Sequence, residues 1–254
     1  MQGVLRYEKF DLFKECIHGT SIKNSLLPFG FSLALHTGED SHDIVNNRKQ
    51  FLEMLGASKD TKIILANQTH SDNIAIIKDR QTAGWLSHDD AIADCDALIT
   101  AQKNLLVGVL TADCVPILLL DKNKGVVAAV HAGWKGTHKQ IAYKTVAKMK
   151  EVFECSEISA VIAPSIGACC YEVSGELAEY FSDYPEAIKH IDGKYLLDLP
   201  HINKLQLQNA GVNSTNIEMS GICTSCSNDN FFSYRKENGC SGRFLSVIGI
   251  SGSD

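Results

Sequence analysis

The sequence predicts an α+β fold on three observations. Eight short segments rich in Val, Ile and Leu are bounded by Gly, Pro, Asp or Asn, the pattern of strands. Helical periodicity occupies three other stretches. The two kinds of segment follow one another without the regular alternation that builds a parallel doubly wound sheet.

In chain order, a helix is expected over Asn47–Leu55, burying Phe51, Leu52 and Leu55. Strands are expected over Thr61–Ala66, Asn73–Ile77, Ala97–Thr100 and Leu105–Leu110. Val115–Leu120 and Gly125–Val130, joined by Asp121-Lys122-Asn123-Lys124, form a predicted hairpin. At Thr137-His138-Lys139-Gln140 the spacing predicts a capping box, in which two side chains satisfy orphan backbone donors. Ile141, Thr145, Met149 and Val152 mark the buried face of the helix it opens. A strand over Ile158–Ala163, a helix over Pro200–Ala210 with Gly211 just past its end, and a strand over Phe244–Gly249 complete the reading. No repeat, low-complexity tract or Pro/Ser-rich linker divides the chain, so one domain is expected over residues 1–254.

The 254 residues carry 24 Lys+Arg against 30 Asp+Glu, a net charge of −6. A hydrophobic fraction of 44% argues against disorder. The negative balance provides no basic field for nucleic acid, so a small molecule or a protein is the expected partner. The most apolar stretch, Leu105 to Leu120, is interrupted by Thr111, Asp113 and Pro116, which excludes a membrane-spanning helix. Met1 to Lys9 has no apolar export signal. Nine cysteines, an odd number in a chain of this size, point to reduced thiols and a cytoplasmic setting.

Three phrases place polar, metal-capable residues at the ends of apolar strands: Asn67 to His70, Thr111 to Pro116 and Val130 to Thr137. His70, Cys114 and His131 make an N/S/N donor set suited to zinc and compatible with copper, with a fourth position left open. Separations of 44 and 17 residues do not by themselves decide for ligation. On spacing alone the plainer reading is favoured: Cys114 as a small buried hydrophobe and the histidines as hydrogen-bonded turn residues. Cys223-Thr224-Ser225-Cys226 and Cys169-Cys170 read by default as local packing, and Cys16, Cys95, Cys155 and Cys240 have no visible context. Arg48, Lys135, Arg235 and Arg243 read as solvated charges unless a glycine-bearing turn brings them to a phosphate.

Taken together, the blocks resemble the laccase-domain, or multicopper polyphenol oxidase-like, family, whose members act as purine nucleoside phosphorylases. The matching blocks are Gln68-Thr69-His70, Asp96 to Thr100, Thr111 to Pro116, His131-Ala132-Gly133-Trp134-Lys135-Gly136, Gly167 to Val173, Phe232-Ser233-Tyr234-Arg235 and the late Gly242-Arg243. Two departures stand out: Lys135 replaces an Arg, which loses the planar fork, and Ser71 replaces a Gly.

The resemblance implies a mixed α/β sandwich with β-sheets flanked by helices. It also implies one zinc (copper possible) held by the catalytic residues His70, Cys114 and His131. The implied partners are phosphate and purine nucleosides (adenosine, inosine, guanosine, methylthioadenosine), with adenosine deaminase side activity, in a monomer or weak oligomer. Arg48 and Lys135 are then the candidates to bind phosphate, and Cys223 and Cys226 are expected to be dispensable for metal content. Three readings compete: a cysteine-dependent hydrolase in which His131 activates Cys114, a metal-stabilised scaffold, and a copper-dependent polyphenol oxidase. Oxygen reduction by several coupled coppers is disfavoured, because no His-x-His motif is present to hold them.

Overall fold

In the computed structural model, residues 3–79 and 81–252 are described, so Met1 and Gln2 of the N-terminal stretch read above lie outside the described residues. The apolar run Leu105 to Leu120 supplies an interior strand to each of the two larger sheets. It is cut at Asp113, whose backbone takes the left-handed region at φ 84°, and its two halves enter different sheets.

The first half is β6 (Leu105–Thr111), in a five-stranded sheet ordered β1 (Val4–Leu5), β2 (Cys16–Ser21), β14 (Phe244–Ile250), β6, β3 (Lys62–Leu65). Only β3 and β6 run parallel there. The second half is β7 (Val115–Asp121), in a six-stranded sheet ordered β13 (Ile217–Met219), β9 (Ile158–Ile162), β7, β8 (Val126–Ala132), β5 (Ala97–Thr100), β4 (Ile74–Ile77). A small antiparallel sheet of β10 (Glu172–Val173), β12 (Lys194–Leu197) and β11 (Ile188–Ile191) stands apart.

The two-residue period of the strands sorts their side chains into layers. Val107, Val109 and Ile248 of the first sheet meet Leu98, Leu118, Leu120 and Val161 of the second in a shared core. On the opposite face of the second sheet, Ile117, Leu119 and Val130 pack under helices α4 (Ile141–Phe153) and α6 (Leu199–Asn209) through Val146, Met149, Ile202 and Leu207. The opposite face of the first sheet, with Leu106 and Val247, is covered by Phe51 and Leu55 of α2 (Ser41–Leu55). Both faces of each central strand are therefore buried, which is why these strands read as continuous apolar runs. The result is the mixed α/β sandwich, two sheets between layers of helix. Shorter helices α1 (Glu8–Asp11), α3 (Trp134–His138) and α5 (Gly175–Glu179) complete it. Among the described residues no helix is long and apolar enough to cross a membrane.

The predicted hairpin forms, and Asp121 secures its turn and the start of β9 by accepting from the amides of Asn123, Lys124, Ser156 and Glu157. The helix expected from Asn47 starts earlier, at Ser41, because Asp40 caps it by accepting from the Asp43 amide. The capping box does not form. Thr137 lies inside α3, and Gln140 turns left-handed at φ 62° between α3 and α4. The Thr137 hydroxyl instead accepts from Asn203 Nδ2 at 2.9 Å, and its carbonyl from Gln206 Nε2 at 2.7 Å, so this polar stretch docks α6. Val152, expected to be buried, is exposed.

Arg48, expected as a phosphate ligand, is placed by the structure against backbone carbonyls. It is 1% exposed. Its Nε donates to the Leu33 carbonyl at 2.8 Å, and Nη1 donates to Gly84 and Trp85 at 2.7 and 2.6 Å. Burial lowers its pKa to about 10, which still leaves it charged at neutral pH. The guanidinium thus satisfies carbonyls from two loops that cross α2, and it does not face the cavity described below. Arg48→Met is expected to cost at least about 3 kcal/mol, since three buried acceptors lose their donor at roughly 1 kcal/mol or more each. A urea denaturation curve checks this; a midpoint equal to wild type would contradict the strut role.

Candidate metal centre and cavity

The corner between β6 and β7 opens into a cavity of ≈ 590 Å³, within the range of small-molecule sites. Two turns and a strand bring donors to its floor. Cys114 follows the Asp113 corner directly. His131 sits on β8, opposite Pro116 of β7. His70 lies in the turn after β3, with a left-handed backbone at φ 59°.

That conformation is unfavourable for a residue with a β-carbon, and a single carboxylate imposes it. Asp96, just before β5 and 1% exposed, accepts from the amides of Thr69, His70 and Ser71 at 3.2, 3.1 and 2.7 Å. The Ser71 hydroxyl adds a fourth contact at 2.7 Å. The Ser that departs from the family pattern therefore strengthens the anchor. Asp96 Oδ1 also accepts from His131 Nδ1 at 2.7 Å. With Nδ1 donating to Asp96, Nε2 is the nitrogen of His131 left to ligate once a metal displaces its proton, the arrangement of a carboxylate–histidine–metal relay.

The donor set fits one transition-metal ion. One ligand atom from each of His70, Cys114 and His131 lies within 4.8 Å of the others, and His70 Nε2 is 3.8 Å from Cys114 Sγ. A tetrahedral ion with ordinary Zn–N and Zn–S bonds needs an N···S edge of about 3.6 Å. A β-carbon added at Gly133 would lie 2.8 Å from His70 Cδ2 and 3.1 Å from Cys114 Sγ, so the glycine keeps this approach open.

The electrostatics favour a thiolate. Burial alone would raise the Cys114 pKa, but His131 and His70 outweigh it and hold the thiol at about 6. Burial would likewise lower His131, and the Cys114 sulfur and Asp96 carry it up to about 9. For Asp96, burial is outweighed by His131 and Ser71, and its pKa falls to about 2.

Arg235 and Arg243 line the cavity. Arg235 Nη1 donates to the Glu172 carbonyl at 2.9 Å, and its guanidinium lies 5.3 Å from the Tyr171 ring centre. Arg243 lies 5.7 Å from the Tyr234 ring centre, and its Nη1 donates to the Gly242 carbonyl at 2.9 Å. Among the described residues neither makes an ion pair. Asp113 fixes this wall, accepting from Thr224 Oγ1 at 2.7 Å and from the Arg235 amide at 2.6 Å. Lys135 is exposed, with Nζ 5.6 Å from the Trp134 ring centre, and does not line the cavity. The phosphate candidates Arg48 and Lys135 are thus not brought to the site, whereas Arg235 and Arg243 are. Asp96 and Asp113 had no assigned role in the sequence reading; the signal available was that each sits within or beside a motif block.

The family model described as multi-copper polyphenol oxidoreductase laccase matches residues 19–251. The chain belongs to this family. It is 40% identical over 227 residues to a purine nucleoside phosphorylase of Clostridium acetobutylicum, covering 86% of this chain and 87% of the relative. It is 35% identical over 227 residues to adenosine deaminase RL5 of an unknown prokaryotic organism, covering 86% of each. The crystal structure of YlmD from Geobacillus stearothermophilus superposes with a TM-score of 0.90 at 32% identity, covering 99% of this chain and 97% of that one.

Because Asp96 orients both histidines, Asp96→Asn is expected to weaken zinc at the triad by about 10- to 100-fold. Competition against a chromophoric chelator measures this, with Cys114→Ser defining the signal that remains when the triad is removed. Unchanged affinity would show that the triad does not need its carboxylate.

Proposed function

We propose that this chain is a metal-dependent purine nucleoside phosphorylase that also deaminates adenosine. The observation that carries the reading is the convergence of an N/S/N donor set and two guanidinium groups on one cavity. The names borne by the relatives support the same substrate class.

Arg235 and Arg243 hold the phosphate through charge-assisted hydrogen bonds, which are stronger than neutral ones. Trp134 and Tyr171 give the cavity an aromatic wall for the purine. In phosphorolysis a phosphate oxygen bonds to the anomeric carbon of the ribose. The C–N bond to the purine breaks, its electron pair leaves with the base, and the base takes up a proton. Holding both reactants in one cavity supplies the orientation this displacement requires. His70, Cys114 and His131 would hold a zinc ion, which supplies Lewis acidity for the departing base or for water in deamination. Asp96 keeps His131 in the tautomer that can ligate. The triad provides for one ion, which fits this chemistry better than oxidation by several coupled coppers.

One observation favours a second reading. Cys114, His131 and Asp96 also stand in the order thiol, imidazole and carboxylate that activates a nucleophile. The anchored left-handed turn that brings His70 onto Cys114 serves ligation and has no use in that scheme. Selective alkylation of metal-free protein at Cys114, abolishing a metal-independent turnover, would favour the hydrolase.

Purified protein incubated with adenosine is expected to give adenine only when phosphate is present, and inosine with or without it. A chelator should suppress both, and chromatography resolves them. Neither product in the metal-loaded protein would overturn the proposal. Arg235→Ala and Arg243→Ala should each raise the phosphate KM about 10-fold or more, from roughly 1.5 kcal/mol or more per lost charged hydrogen bond. The adenosine KM should move less; equal changes in both would mean that the arginines only shape the wall.

A further inference from the structure

Outside the cavity floor, the fold corrects the reading of two cysteine motifs as separate packing features. Cys169 and Cys170 lie in the turn after β9, where the amides of Cys170 and Tyr171 both donate to the Gly167 carbonyl at 3.0 Å. Cys223 and Cys226 lie in a second turn, closed by the Ser227 amide donating to the Cys223 carbonyl at 2.9 Å. An isolated parallel bridge between Ser165 and Cys223 ties the turns together, with the Thr224 amide donating to the Ser165 carbonyl at 3.0 Å. The adjacent pair thus supplies the partners that the C-x-x-C lacks in sequence.

Four sulfurs converge as a result. One donor atom from each cysteine lies within 4.8 Å of all the others. Cys226 Sγ is 3.6 Å from Cys169 Sγ and 3.4 Å from Cys170 Sγ. Four thiolates about 2.3 Å from a central zinc would be separated by tetrahedral edges of about 3.8 Å, close to both distances. The Gly167 amide donates to Cys223 Sγ at 3.3 Å, a contact that stabilises a sulfur carrying negative charge. Hydrophobic packing does not account for the cluster. Cys16, Cys95 and Cys155 are buried among apolar side chains, whereas Cys169 and Cys226 are exposed and Cys170 and Cys223 half-buried.

We propose that Cys169, Cys170, Cys223 and Cys226 hold a structural zinc ion that clamps the two turns behind the cavity wall. Four soft thiolates in tetrahedral array select zinc among common cellular divalent ions and leave no position for substrate. Binding converts the thiols to thiolates, with their protons released to solvent, and involves no redox step. The clamp acts on the site through the chain. One turn leads into Tyr171 and Glu172, and the other leads through Thr224, held by Asp113, to Arg235, which donates to the Glu172 carbonyl. The ion would close this circuit from the side away from the cavity.

Zinc per chain, measured by inductively coupled plasma mass spectrometry on freshly purified reduced protein, tests the proposal and separates it from the cavity site. Cys223→Ser/Cys226→Ser should lose one equivalent that Cys114→Ser keeps, and Cys114→Ser should lose the other. If the cavity binds no metal, Cys114→Ser will match wild type while the double variant still loses its equivalent, so the two ideas fail independently. A footprint on wild type avoids dependence on the variant's folding. Adding zinc to metal-free reduced protein should protect these four cysteines from iodoacetamide at least tenfold, while exposed Cys240 stays reactive. Zinc content unchanged in the double variant, or equal alkylation of the four with and without zinc, would overturn the structural site.

Discussion

One buried carboxylate holds the candidate metal centre together. Asp96 receives three consecutive backbone amides of the His70 turn, the Ser71 hydroxyl and the His131 ring. An ionised carboxylate this far from water is costly unless its lone pairs are matched by donors, and here they are. The same bonds hold His70 in a backbone region it would not choose and fix which nitrogen of His131 faces the cavity. Because β5 begins at the next residue, the anchor is as rigid as the sheet that carries it.

The sandwich explains why the centre lies where it does. Sheets packed face to face leave an opening where a strand crosses from one to the other, and the crossing at Thr111–Cys114 is such a place. Asp113 takes the left-handed turn there and spends its carboxylate on the Thr224 hydroxyl and the Arg235 amide. The corner of the sandwich is thereby tied to the late loop that contributes both cavity arginines. Asp96 and Asp113 do parallel work, one on the donor side of the cavity and the other on the cationic side.

Charge is distributed unevenly for a chain with a net charge of −6. Arg235 and Arg243 face the cavity without an ion pair among the described residues, while Arg48 is buried against backbone carbonyls. All three are arginines near glycine-bearing segments, and their uses differ because burial and available acceptors differ. Arg48 is held as a strut by buried carbonyls, whereas Arg235 and Arg243 are less buried and line the cavity.

The sequence by itself determined the α+β class, the eight long or apolar strands and the hairpin, because strands buried on both faces must be apolar along their whole length. It also named His70, Cys114 and His131 as a set, through motif blocks whose residue types suit a metal. It was silent on β1, β2, β13 and the small sheet of β10 to β12, whose polar or very short segments are stabilised by pairing with other strands. Only the tertiary structure decided which carboxylate serves the histidines, since Asp96 is 26 residues from His70 and 35 from His131. It alone separated Arg48 and Lys135 from Arg235 and Arg243, and it alone brought Cys169-Cys170 against Cys223 and Cys226. The physical reason is common to all three. A side chain's role is set by the donors, acceptors and solvent around it, and those neighbours come from segments far apart in the chain.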